Sequence, residues 1–244
     1  MTYIVDRNIN YTNVCVADCR FCAFYRRPKH PEGYTLSFEE IGRKIDEAKA
    51  IGAVQILMQG GHNPYIPFDW YLDLLHFIKR EHPIHIHGFS PSEVQFFARR
   101  FRMSVDQVVE ALQAAGLDSI PGGGGEILVD RVRKMVAPKK AMTDEWLEVM
   151  DSAHRHGMKT TCAMTYGLGE TSAERIEHLL RLREQQARTG GLAHGRLMRT
   201  HQQAHPLRLG WNANRHFLWR RGDKLADGAF HHHRVGQIHQ VNGQ

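Results

Sequence analysis

The chain is poor in cysteine, with four residues in 244. It lacks the second C-x-x-C pair that a structural zinc site usually needs to close its tetrahedron. No apolar run approaches the roughly 18 residues required to span a membrane, and the amino terminus has no charged stretch followed by an apolar one. These absences predict a cytoplasmic protein, in a compartment where thiols stay reduced. An excess of one charge is also missing from most of the chain. Residues 1–191 carry 24 Lys+Arg against 24 Asp+Glu, whereas 192–244 carry 8 against 2 and so account for the whole formal charge of +6. A nucleic-acid surface needs basic residues and stacking partners on a folded face. The neutral body offers no such excess, so neither nucleic acid nor membrane is expected as a partner.

What cysteine there is lies together. Cys15-Val16-Ala17-Asp18-Cys19-Arg20-Phe21-Cys22 places three thiols within eight residues, a loop short enough to wrap one face of an iron-sulfur cube. Such cubes normally take four thiolates, and three leave one iron open to another ligand. Zinc is the competing reading of the same residues. The fourth cysteine, Cys162, stands in the apolar stretch Thr161-Cys162-Ala163-Met164 and reads as a small buried hydrophobe.

Along residues 1–191, short β-rich runs alternate with helical periodicity. Strands are expected at Ile9–Cys15, Val54–Met58, Ile84–Phe89, Leu117–Ile120 and Thr160–Tyr166. Helices are expected at 37–51, opened by a capping-box pattern and stopped at Gly52, and at 68–81, 104–115, 143–156 and 171–188. Five strand–helix units imply an α/β fold with a parallel sheet and right-handed crossovers, open or part of a barrel. Active sites in such folds gather at the carboxyl ends of the strands. The unusual motifs all fall there.

After the second strand comes Met58-Gln59-Gly60-Gly61-His62, whose glycines allow close backbone approach and expose amide donors; a plain tight turn explains the pair equally well. In the third strand, His85 and His87 alternate with Ile84 and Ile86, so the histidines share the face away from the helices. There they can bond a polar substrate or move a proton, or simply be satisfied interior groups. Gly122–Gly125 is too permissive for a packed strand, and Glu126 follows it, placed to meet a ribose hydroxyl or an ammonium, or else to complement a helix start. Glu170 is read as a helix-start carboxylate, and Tyr166, at a strand end, can face the pocket.

The motif C-x3-C-x2-C with Phe21 before the last cysteine resembles the signature of radical S-adenosylmethionine (SAM) enzymes. Beyond it, Asn10–Cys15, Cys22–Arg26, Met58–Gly61, His85–Pro91 and Gly116–Arg133 resemble the cyclic dehypoxanthinyl futalosine synthase family of menaquinone biosynthesis, with aminofutalosine synthase as the nearer alternative. The resemblance implies a partial radical SAM barrel over 1–191. It implies a 4Fe-4S cluster on Cys15, Cys19 and Cys22, with SAM held by Phe21, Tyr25, Gln59, Gly60, Gly61, Ser90 and Glu126. It further implies a nucleoside-type small-molecule substrate, a reducing electron donor, and a 5'-deoxyadenosyl radical that takes the ribose C4' hydrogen before ring closure. His87 and Tyr166 are then the candidate acceptors of the last proton. The non-enzymatic alternative is a structural iron-sulfur or zinc protein.

From Leu192 the family-like pattern stops. The His/Arg-rich segment 192–244 has no period of two or 3.6 and resembles translation out of frame, so a frameshift that replaced the sixth strand is expected; a metal- or nucleic-acid-binding tail is the other reading. Five units alone would leave the first and fifth strands as exposed edges, which predicts poor solubility and little turnover.

Overall fold

The computed structural model describes residues 4–193 and 195, and the backbone of 194, 196–200 and 211–218. Seven strands form one sheet in the order of the sequence: β1 (Asp6–Asn10), β2 (Gln55–Gln59), β3 (His85–Gly88), β4 (Ser119–Ile120), β5 (Lys159–Tyr166), β6 (Leu192–Thr200) and β7 (Trp211–Leu218). Strands β1 to β6 run parallel, and β7 is antiparallel to β6. The crossovers carry α1 (Phe38–Ala50), α2 (Phe68–Glu81), α3 (Pro91–Phe101), α4 (Val105–Ala114), α5 (Asp130–Val136), α6 (Thr143–Arg155) and α7 (Ser172–Thr189). Five β/α units are present, as the alternating pattern predicts.

Local sequence sets the helix starts. Ser37 with Glu40, Ser90 with Glu93, Ser104 with Gln107 and Thr171 with Glu174 each form a reciprocal capping box, satisfying backbone donors that have no partner inside the helix. The helices then bury one stripe. Ile41 and Ile45 of α1 and Tyr71, Leu74, Leu75 and Ile78 of α2 pack on Ile9, Ile56, Met58 and Ile86 of the sheet. Each fully buried Leu or Ile there contributes about 1.5–3 kcal/mol relative to exposure. A second, smaller apolar cluster joins Cys15, Ala17 and Cys19 to Ile127, Val132, Val136, Met164 and Leu168, so the cysteine loop lies on α5, on β5 and on the loops that follow β4 and β5. Cys162 is buried beside Trp146 and Leu182, as its apolar context predicts.

Four features depart from the sequence reading. Strand β1 ends at Asn10 rather than Cys15, because Thr12 and Asn13 turn their side chains to the 32–35 loop, where Thr12 Oγ1 donates to Tyr34 O and Asn13 Oδ1 accepts from Tyr34 N. Helix α3 fills the stretch after Ser90, and α5 fills the stretch after Val129; α5 has seven residues, too few to show a period. The fourth is a correction. A sixth strand is present at 192–200, paired with β5 from Thr160 to Tyr166, so the β5 edge is covered. Backbone pairing with an eight-residue neighbour does not require alternating side chains, and Leu192-Ala193-His194-Gly195-Arg196 has no alternation to read. Trp211–Leu218 of the expected irregular tail forms β7, and the rest of that tail, including His231–His233, lies outside the described residues. Among the described residues no helix is long and apolar enough to cross a membrane.

Candidate functional site

The cysteine loop leaves β1 and folds back on itself. Cys15 N donates to Arg26 O at 2.9 Å, and Arg20 N to Val136 O at 2.9 Å. Asp18 takes a positive φ of 55°, a conformation its short polar side chain tolerates, and accepts from Tyr25 Oη at 2.5 Å and from Arg27. Tyr25 thus braces the loop. All four cysteines are free thiols.

Cys15 Sγ accepts two backbone N–H groups, from Ala17 at 3.4 Å and His62 at 3.2 Å. Burial pushes the Cys15 thiol up and the Cys19 thiol up to about 12, with the nearby Lys140 ammonium opposing both shifts. Sulfurs buried this way stay neutral by themselves, and coordination by a cation is what converts such groups to thiolates. Among the described residues no three His, Cys, Asp or Glu side chains converge on one point that a single metal ion could share. A cube, with each thiolate on its own iron, asks for a wider spread of ligands. Two amide donors on Cys15 and three soft donors on one loop fit that group.

The glycine pair of the second strand end is wedged against this loop. A Cβ on Gly61 would lie 2.2 Å from Val14 O and 2.8 Å from Cys15 Cβ, and one on Gly60 would lie 2.3 Å from Tyr11 Cζ. Only glycine fits either place. Gly61 N donates to Thr12 O, and Val16 N to His62 O, so glycine and cysteine loops form one unit. The His62 ring stacks on Phe96 at 4.9 Å, and burial lowers its pKa to about 3.

Gln59, Ser90 and the glycine run also meet. A Cβ on Gly123 would fall 2.2 Å from Gln59 Nε2 and 3.2 Å from Ser90 Cβ. Ser90 lends its hydroxyl to the cap of α3: Oγ donates to Glu93 Oε2 at 2.7 Å and accepts from Glu93 N. The glycine run is held from behind by Arg133, whose buried guanidinium donates to Gly124 O, Gly125 O and Ala141 O at 2.8 Å each. Glu126 lies four residues before α5, not at its first turn, with a φ of 30°. Its carboxylate is already paired, with Lys140 Nζ at 2.9 Å and Arg133 at 3.6 Å.

The histidines of β3 part company. His87 is buried, whereas the His85 side chain is 44% exposed. Both reach the Ser119 hydroxyl, His85 Nε2 at 2.8 Å and His87 Nδ1 at 2.7 Å, and His87 Nε2 lies 3.2 Å from Thr161 Oγ1. Gly122 N donates to that same Thr161 oxygen. Tyr166 ends β5 half-buried, with the Arg175 guanidinium 5.2 Å from its ring centre. Glu170 accepts from Gly167 N and Leu168 N and pairs with Arg175 at 2.6 Å, which makes it a loop anchor.

Three residues escape sequence reasoning. Lys140 carries no motif, yet its ammonium lies between Glu126 and the cysteine loop, 5.4 Å from the Phe21 ring centre. Burial pulls its pKa down, and Glu126 and Cys19 more than offset that, leaving it above the ordinary range. Arg133 is equally unmarked. Glu93 stands at S-x-x-E spacing from Ser90, a signal that speaks only of a cap.

Comparison with known proteins gives the same assignment as these loops. The profile of the Radical SAM superfamily matches residues 9–182. The chain belongs to that superfamily. Membership implies a 4Fe-4S cluster and SAM. A cyclic dehypoxanthine futalosine synthase of Streptomyces coelicolor is 46% identical over 192 residues, covering 78% of this chain and 48% of the relative. A 5-amino-6-(D-ribitylamino)uracil–L-tyrosine 4-hydroxyphenyl transferase of Methanopyrus kandleri is 44% identical over 192 residues, covering 78% and 52%. The chain therefore spans about half the length of the curated relatives it matches. Among solved structures, methylornithine synthase superposes with a TM-score of 0.65 at 16% identity, covering 80% of this chain and 53% of that one, which supports the fold.

Proposed function

We propose that the chain carries the cofactor-binding half of a radical SAM cyclase that converts dehypoxanthine futalosine to its cyclic product, on the futalosine route to menaquinone. The observation that carries this is the joined cysteine and glycine unit, in which His62 N bonds Cys15 Sγ and Gly61 fits only for want of a Cβ. The 46% identity to the futalosine synthase supports the choice of substrate.

In this reading Cys15, Cys19 and Cys22 hold the cluster, and Gln59, Gly60 and Gly61 receive the amino-acid end of SAM. Phe21, Tyr25 and Ser90 shape that pocket, and Glu126 sets its charge through Lys140. Bound there, cluster and SAM supply a carbon radical able to take the C4' hydrogen of the substrate ribose. The protein's own work is to hold that hydrogen in reach, exclude water and accept a proton at the end. His87 lies between the Thr161 hydroxyl at Nε2 and the Ser119 hydroxyl at Nδ1, each of which can donate or accept, so either neutral tautomer is satisfied there. In this reading the bare ring nitrogen accepts the proton and the other can release one. Tyr166 is the second candidate acceptor. The chemistry is placed in 1–191, with an electron donor as the required partner and the cytoplasm as its place.

The relatives set a second reading beside the cyclase, transfer of a hydroxyphenyl group from tyrosine to a ribitylaminouracil, where the motifs alone suggest aminofutalosine synthase. One experiment separates them: anaerobic incubation of the reconstituted chain with SAM, dithionite and each candidate substrate, followed by mass analysis. Deoxyadenosine with the cyclic futalosine product supports the cyclase. Deoxyadenosine with a hydroxyphenyl adduct supports the transferase, and uncleaved SAM defeats both.

A further inference from the structure

The Glu93 carboxylate is 2% exposed and has four donors. Tyr11 Oη and Gly60 N donate to Oε1 at 2.7 and 2.9 Å, while Ser90 N and Ser90 Oγ donate to Oε2 at 2.8 and 2.7 Å. Burial of a carboxylate is costly unless its oxygens are bonded. Here every bond comes from the ends of β1, β2 and β3, three of the strands whose loops build the site.

A helix cap does not require this. The corresponding residues of the other Ser/Thr boxes, Glu40 and Gln107, are exposed, and Glu174 is half-buried; each turns a side-chain oxygen back to the cap N–H. Glu93 does the same with Oε2 and sends Oε1 elsewhere, across 33 residues to Gly60 and 82 to Tyr11.

Two adjacent glycines restrain their own backbone poorly, so the fixed place of Gly60–Gly61 comes from their neighbours. On one side stand Val14 and Cys15. On the other stand the Tyr11 ring, packed where a Gly60 Cβ would be, and Glu93, which bonds both that tyrosine and the Gly60 amide.

We propose that Glu93 is a positioning residue, whose carboxylate clamps the Gly60–Gly61 loop against the Cys15 loop and so sets the seat for the amino-acid end of SAM. The proposal deepens the cofactor assignment above and rests on it for the identity of the ligand.

The test reads amide hydrogen exchange of Gly60 and the SAM dissociation constant of the reconstituted chain. In the wild-type chain the Gly60 amide should exchange slowly although it lies beyond the end of β2. Glu93→Gln puts an NH2 where an acceptor is needed, and should speed that exchange and raise the dissociation constant by at least ~10-fold each. Glu40→Gln, which weakens an exposed box on α1, should move neither. Tyr11→Phe, which removes one donor, should fall between wild type and Glu93→Gln in Gly60 exchange. Fast Gly60 exchange in the wild type overturns the proposal even if Glu93→Gln does not fold, and so does an unchanged dissociation constant in Glu93→Gln. Failure of the wild type to bind SAM would instead overturn the cofactor assignment, and the Gly60 exchange would still decide whether Glu93 holds the loop.

Discussion

Lys140 Nζ lies 2.9 Å from Glu126 Oε1 in a pair whose side chains are only 16% and 8% exposed. Such a pair breaks badly: removing one member leaves a buried charge uncompensated, at a cost of roughly 3–5 kcal/mol. Arg133, 3.6 Å from the same carboxylate, takes up part of that. Lys140→Met is therefore expected to fall at the lower end of the range, near ~3 kcal/mol, as read from the urea midpoint of the apo chain. A change below half of that would mean that Glu126 is held by Arg133 alone.

Each of Cys15→Ala, Cys19→Ala and Cys22→Ala should abolish iron and sulfide loading in anaerobic reconstitution. Cys162→Ala should load normally and lose only about 1 kcal/mol of stability. Equal loading by all four variants would end the cluster assignment.

Gly61→Ala drives a methyl group into Val14 O and Cys15 Cβ, both of which are fixed by the backbone. Overpacking of this kind costs about 1–3 kcal/mol. For a chain this size, a melting-temperature drop of roughly 2–4 °C per kcal/mol is expected, together with weaker SAM binding. An unchanged melting temperature would show that the two loops are not wedged.

Acid should destabilise the fold through its buried histidines. Burial lowers His178 to about 3 and His154 to about 4, against about 6.5 in an unfolded chain. Both are neutral when folded, so below pH 6.5 the unfolded state binds more protons and stability falls with pH until the folded values are reached. His178 alone contributes a slope approaching about 1.4 kcal/mol per pH unit across that window. His178→Gln keeps an acceptor for Leu128 N, which donates to Nδ1 at 2.9 Å, and should flatten the curve by that amount between pH 4 and 6. Parallel curves for the two proteins would refute the assignment.

Much of this was legible in the sequence, for reasons that differ by residue. Ser37 with Glu40 and the apolar spacing of Ile41, Ile45 and Ala48 announce α1, because cap and stripe are both local signals. The cysteine spacing announces its loop in the same way. What stayed hidden depends on contacts distant in sequence. Lys140 is one of two adjacent lysines, and nothing nearby says that it alone turns inward to Glu126. Ser90 reads as a pocket residue, and that its hydroxyl also bonds a buried Glu93 emerges only from the fold. Strand β6 could not be read because its partner β5 supplies what its own side chains do not.

Each strand lies beside the one made just before it, so during synthesis the sheet can grow by addition at one edge, the amino-terminal part first. The cysteine loop does not share that independence. Its Arg20 amide waits for Val136 O, and Phe21 for Lys140, residues that emerge well over a hundred positions later. Thiols made among the first residues therefore reach their final arrangement only when α5 and the segment after it have docked, and the cluster proposed there would assemble after that step.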